Sequence, residues 1–366
     1  MYVVTICSLI ALLLTYLESN GQLKNGMKLG FILVTFLGCV HYDFGNDYMS
    51  YYGVYQNAIS YTFDYNYIML GEVFRDPGWI LLCWAFKPIG GFFMMVAVLN
   101  ILQNWLIYRF IKREVNVVNH PFAVFIYLFS TSLYLMSFSM MRQMLVAVIF
   151  LGLWHYISNR KWWMPLFVLY LCSFIHSSAI VLLPFAFWGF VPIKNGKFLG
   201  LIYILILSVL WFSPNLLNQL FLSAVESRDE FGNYLSVYGN GKSQGLSLGL
   251  GFAIQLIPVV LSILYLLNSE KKSYLDKKKL VALAMISALI TPFGAIIPIV
   301  TRISTYFNIY TIASYPLVYT ALSNRPIRML CLSLCVLIIL YNYFIFFNNE
   351  VWSEKFSEFH TIFSVL

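Results

Sequence analysis

Charge is what this sequence has least of. Only 10% of its residues are Asp, Glu, Lys or Arg, against about 25% in a soluble globular domain. A chain so poor in charge cannot cover a surface that faces water on all sides, which excludes the soluble classes. Cysteines are few and badly placed for chemistry. Cys7, Cys39, Cys83, Cys172, Cys331 and Cys335 all lie within apolar runs, which suits buried small side chains and excludes a disulfide framework or a zinc site. There is no His-Glu-x-x-His, so the common metalloprotease signature is missing. Gly241-Lys242-Ser243 resembles the end of a phosphate-binding loop, but Ser236 stands where its first glycine belongs. His120, His155 and His360 have no sequence partners and read as structural.

What is present is apolar helix. Hydrophobic residues make up 60% of the 366 positions and aromatic residues 18%. No barrel-like alternation occurs, and lipid leaves helices as the remaining way to satisfy backbone polar groups. The expected fold is therefore all-α, a single polytopic transmembrane bundle over 1–366 with about twelve spans. They fall near 2–17, 28–40, 89–110, 120–138, 143–157, 163–175, 178–192, 198–213, 247–268, 280–298, 303–322 and 327–347, with 163–192 also readable as one kinked helix. The first lacks a basic lead-in and a small-residue cleavage site, so it reads as a retained helix.

Basic residues set the orientation. One set of connections, from Lys24 through Lys112, Lys161 and Lys271–Lys279 to Arg328, holds 16 of the 23 Lys and Arg with four acids; the other set holds 7 basic and 11 acidic residues. The first is expected in the cytoplasm and both termini outside. The net charge of +8 is thus a topology signal and carries no argument for nucleic acid.

Two outer segments are too long for simple turns, 41–88 and 213–245. The first opens with His41-Tyr42-Asp43-Phe44-Gly45-Asn46-Asp47-Tyr48 and ends in Trp79–Phe86, a helix too short to span. The second, with its glycine-rich exit, suits a lid. Arg142 and Arg302 stand at the outer level without a hydrophilic loop around them. A guanidinium beside hydrocarbon faces a bundle interior or a polar cavity, and two at one level point to an anionic ligand such as phosphate. Snorkelling to headgroups is the plain alternative. Asp47, Asp76 and His176 are the nearby candidates for acid–base work. Asp76-Pro77-Gly78 also suits a bare helix start, and His176-Ser177-Ser178 a capped helix junction.

Taken in order, these pieces resemble the EpsG-like, Wzy-type polymerases of bacterial surface polysaccharide. Gly45-Asn46-Asp47-Tyr48-x-x-Tyr51-Tyr52 resembles their G-x-D-x-x-x-Y element. Asp76-Pro77-Gly78-Trp79 resembles E-P-G-F with aspartate for glutamate, and Arg142-Gln143 followed by Ala147 resembles the helix start R-Q-x-x-A with the alanine one position later. Phe174-x-His176-x-Ser178-Ala179 and Arg302-x-x-x-Tyr306-Phe307 complete the set across roughly 41–307. The arginine often seen before the glycine element is replaced here by His41-Tyr42-Asp43-Phe44.

The resemblance implies a membrane glycosyltransferase of GT-C-like fold that joins oligosaccharide repeat units carried on undecaprenyl diphosphate. Donor and acceptor are both lipid-linked, the site faces the periplasm from the inner membrane, no cofactor is needed, and a chain-length regulator is a further partner. Arg142, Arg302 and more weakly Arg75 are expected at the diphosphate. His176 or Asp47, then Asp76, is expected to take the acceptor proton, with a divalent ion between Asp47 and Asp76 left open. Tyr48, Tyr51, Tyr52, Gln143 and Tyr306 are expected at the sugars. A flippase, a membrane O-acyltransferase and an O-antigen ligase are the rival classes. A flippase needs charge at midspan and an acyltransferase a cytoplasmic His or Asp cluster, and the sequence supplies neither.

Overall fold

A computed structural model describes residues 1–60, 76–192, 201–202, 204–205, 250–268, 275–291 and 298–364. The expected second loop (213–245), Arg75 and the middle of the first loop (61–75) lie outside the described residues.

Sixteen α-helices occupy the described residues, with a single pair of two-residue strands. In chain order they are α1 (Tyr2–Ser19), α2 (Gly26–Val40), α3 (Tyr48–Ser60), α4 (Pro77–Phe86), α5 (Gly91–Glu114), α6 (His120–Phe129), α7 (Tyr134–Ser139), α8 (Met141–Gly152), α9 (Trp154–Ser158), α10 (Trp163–Ile175), α11 (Leu250–Asn268), α12 (Leu275–Ile290), α13 (Pro298–Asn308), α14 (Thr311–Thr320), α15 (Arg325–Asn348) and α16 (Glu350–Phe356). Four stretches are long and apolar enough to cross a membrane: α1, α5, Met141–Ser158 (α8 with α9) and α15. Shorter apolar helices, α2 and α10 among them, accompany these. The α-helical, multi-pass character expected from the composition is present.

Several expected spans are broken by the fold. The run 120–138 divides into α6 and α7, and 303–322 into α13 and α14. The 163–192 stretch is two pieces: α10 stops at Ile175, His176 is extended (φ −149°, ψ 111°), and Ser177–Phe190 winds in 3-10 turns. Gly189 lies against the backbone of Ile157, so the pair doubles back as a hairpin with His176 at its tip.

Basic and acidic ends separate along the bundle. At one end Lys277 donates to Glu114 Oε2 at 2.9 Å, Lys279 donates to the Gly189 carbonyl, and Arg109 lies 4.8 Å over the Trp105 ring. The starts of α4, α5 and α8 and the ends of α2, α10 and α15 gather at the other. With 24 residues at 1.5 Å each, α5 spans roughly 36 Å between the two. Its buried face carries Asn100, Gln103 and Asn104; Tyr127 donates to Asn104 at 2.8 Å and Gly38 of α2 sits directly on Asn100, polar contacts of the kind that hold helices together where water is absent. A second buried cluster, of Tyr48, Tyr51, Trp79, Phe92, Met95 and Leu145, packs α3, α4, α5 and α8 beneath the candidate site.

Candidate functional site

The site begins with a carboxylate pulled out of water. Asp76 is 4% exposed and caps α4 in an extended conformation, with Pro77 starting the helix. Its Oδ2 accepts from Arg142 Nη1, and its Oδ1 accepts from the Ser177 backbone N–H at 3.0 Å. His176 Nδ1 stands 3.7 Å from Oδ2. Burial alone would raise the Asp76 pKa, but the His176 ring, the Arg142 charge and the Ser177 N–H outweigh it and hold the carboxyl below its ordinary value. Gly78 makes the approach feasible: a Cβ there would sit 2.8 Å from both the carbonyl carbon and oxygen of Phe174. Only glycine lets the start of α4 close on the end of α10.

Arg142 enters from the first turn of α8. Its guanidinium lies 5.4 Å over the Tyr51 ring, and Tyr51 in turn packs against Trp79, 5.3 Å between centroids. A cation at the positive end of a helix concentrates positive potential there. Arg302 joins from α13, whose backbone carbonyl at that residue accepts from Gln143 Nε2. Tyr306, one turn further, shares a 2.7 Å hydrogen bond with Ser178. The Arg-Gln, His-x-Ser and Arg-x-x-x-Tyr elements are therefore tied to one another by side chains.

Asp47 approaches from the loop between α2 and α3 and remains exposed as a residue. The protein around its carboxyl raises the pKa above the ordinary value, against the pull of Arg302, a Ser139 hydroxyl bond and Arg142. The structure thus brings Asp47, Asp76, Arg142, His176 and Arg302 to one end of the bundle. Both ring nitrogens of His176 are buried without a hydrogen-bond partner.

Some expected roles change. Tyr48 is fully buried, donates to the His41 carbonyl at 3.3 Å and packs edge-on to Phe92, so it is a core residue and no sugar contact. Gln143 and Tyr306 are buried as well and bind neighbouring elements instead of facing outward. Of the tyrosines expected at a sugar, Tyr51 lies under Arg142 and Tyr52 is half-buried against Phe92 and Phe93. Asp76, with both oxygens engaged, is not disposed to act as a base or to share an ion with Asp47. No group of three or more metal-ligating side chains occurs among the described residues. Ser139 and Gly78 were not legible as site residues: a lone serine in Phe138-Ser139-Met140 carries no signal, and Gly78 read as a turn former.

Comparison with curated proteins and with solved structures gives no match. The model of the EpsG family matches residues 27–359, which takes in every element that reaches the site. A match of that extent shows that the chain belongs to the EpsG family, a Wzy-like family of polysaccharide polymerases.

Proposed function

We propose that this protein joins undecaprenyl-diphosphate-linked oligosaccharide repeat units into O-antigen or a related surface polysaccharide at the periplasmic face of the inner membrane, on a GT-C-like frame of about twelve spans. The observation that carries the reading is the convergence of Arg142 and Arg302 with Asp47, Asp76 and His176 where apolar helices end. A lipid diphosphate needs hydrocarbon below, cations at the rim and polar groups above, and this end of the bundle offers that order.

In this scheme the growing chain is the donor and its lipid diphosphate the leaving group. Arg142 and Arg302 neutralise the charge that develops as the glycosidic bond to phosphate breaks, an effect worth about 3 kcal/mol for each well-placed donor. Asp76 holds Arg142 in place before substrate arrives. His176 takes the proton from the acceptor hydroxyl, and the Asp76 carboxylate 3.7 Å away steadies the imidazolium that forms. Asp47 is the second candidate base. Its raised pKa brings its basicity closer to what the task requires.

The test is incubation of purified protein with defined lipid-linked repeat units, followed by product sizing. Wild type is expected to give a ladder. Arg142→Ala and Arg302→Ala are expected to abolish it while the protein stays inserted; long products from both variants would remove the diphosphate clamp. Normal polymer from His176→Ala would pass the base to Asp47. A ligase would move finished polymer without lengthening it, and a flippase would leave the products unchanged in size.

A further inference from the structure

We propose that the segment Glu350–Thr361 is a clasp that positions Asp47 for the transfer reaction, with Lys355 and Asp43 as its positioning residues; this rests on the polymerase reading above, with Asp47 as an acid–base group of that site. Six consecutive residues before Asp47 are each held by this segment. His41 and Tyr42 form an antiparallel strand pair with Thr361 and His360. Asp43 accepts from Lys355 Nζ at 3.0 and 3.2 Å. The Phe44 ring is fully buried between Phe356 and Phe359, at 4.8 and 5.1 Å. The Gly45 N–H reaches the Lys355 carbonyl at 3.4 Å, and Asn46 Nδ2 donates to the Val351 carbonyl at 2.9 Å.

The path the chain takes through this grip is one that it would not hold alone. Asp43 sits at φ 44° and Gly45 at φ 119°, both in the region that L side chains avoid. A Cβ on Gly45 would stand 2.5 Å from the Phe138 carbonyl oxygen. That contact sets the next residues beside Ser139, whose backbone nitrogen would lie 3.0 Å from the same Cβ. The amino terminus adds a further tie, donating to the Ser357 carbonyl at 2.6 Å. The His41-Tyr42-Asp43-Phe44 run is the half of the clasp carried by the first loop.

Lys355 and Asp43 are partly exposed, at 36% and 28% of their side chains, and such pairs contribute little to global stability. Breaking this one should displace Asp47 without unfolding the bundle. The experiment compares Lys355→Glu, Asp43→Lys and the charge-swapped double variant in the purified full-length protein. Two readouts are taken: polymer formation from defined lipid-linked repeat units, and amide hydrogen exchange over 43–48. Each single variant is expected to lower kcat about tenfold, as a misplaced catalytic group does, with KM for the donor little changed and exchange faster; the double variant is expected to recover both. Unchanged exchange in the single variants, or no recovery in the double, would overturn the clasp. If wild type makes no polymer, the polymerase reading is lost, and the exchange data alone decide whether the clasp holds the loop. Faster exchange with an undiminished kcat overturns the positioning role.

Discussion

Two aspartates of the site have opposite electrostatic histories, and stability should report it. Asp76 has its folded pKa below the ordinary value. Its ion therefore contributes stability above that ordinary value, and the contribution is lost as pH falls through the ordinary value toward the lowered one. Asp47 has its folded pKa raised, so its ionised form costs stability at neutral pH, and the cost fades as acid protonates it. Asp76→Asn leaves the Arg142 charge without its carboxylate and is expected to cost about 3 kcal/mol, in the range for a buried pair losing one partner. Asp47→Asn is expected to leave the melting temperature equal or higher. Thermal unfolding of both variants in detergent at neutral and mildly acidic pH checks the signs; a stable Asp76→Asn protein would show that the pair does not hold α4 to α8. The sequence pointed to Asp47, Asp76, Arg142, His176 and Arg302 because each is a charged or titratable group in an apolar chain. It did not reveal that Asp76 is already spoken for, because a carboxylate's partners come from α8 and from the hairpin tip, 66 and 101 positions away.

At the level of elements, the decisive contact is between the start of α4 and the end of α10. Gly78→Val places a branched side chain against the Phe174 backbone, where even a Cβ has 2.8 Å. The helices must then separate, which takes the Asp76 carboxylate away from Ser177 and His176. Loss of polymer is expected with insertion retained, read by sizing the products of the purified variant. If Gly78→Val supports normal chain lengths, close packing of these two ends is not required. The Asp-Pro-Gly run was legible as a helix start, since proline fixes φ and suits the first turn. The break at His176 was legible only as one of two options. Whether an apolar run of this length stays one kinked helix or turns back depends on what it packs against, here Ile157 at the far end of the return segment.

For the whole molecule the outstanding question is how the bundle sits in its bilayer. The N-terminal ammonium touches Ser357 and the strand at His41–Tyr42 pairs with His360–Thr361, so both ends of the chain meet at the site end. The lysine-rich end, with Lys277 on Glu114, lies at the opposite pole. Reporters fused after residue 366 are expected to be active outside the cytoplasm, and those inserted near Lys24 or Lys161 inside it. A cytoplasmic C-terminal reporter would invert the orientation and move the arginines to the wrong face for a periplasmic reaction.

Composition by itself determined the apolar helical character of this chain, and the distribution of lysine and arginine sets the expectation, which the reporters test, of which end faces the cytoplasm. Both follow from the cost of placing charge or unpaired backbone in hydrocarbon, a cost set by residue type and not by neighbours. Only the tertiary structure decided which charged groups meet, which tyrosines are core, and that the C-terminal segment grips the loop before Asp47. Those outcomes depend on contacts between positions as distant as Asp43 and Lys355, and no local pattern records them because the energy of a pair exists only when both members have been brought together.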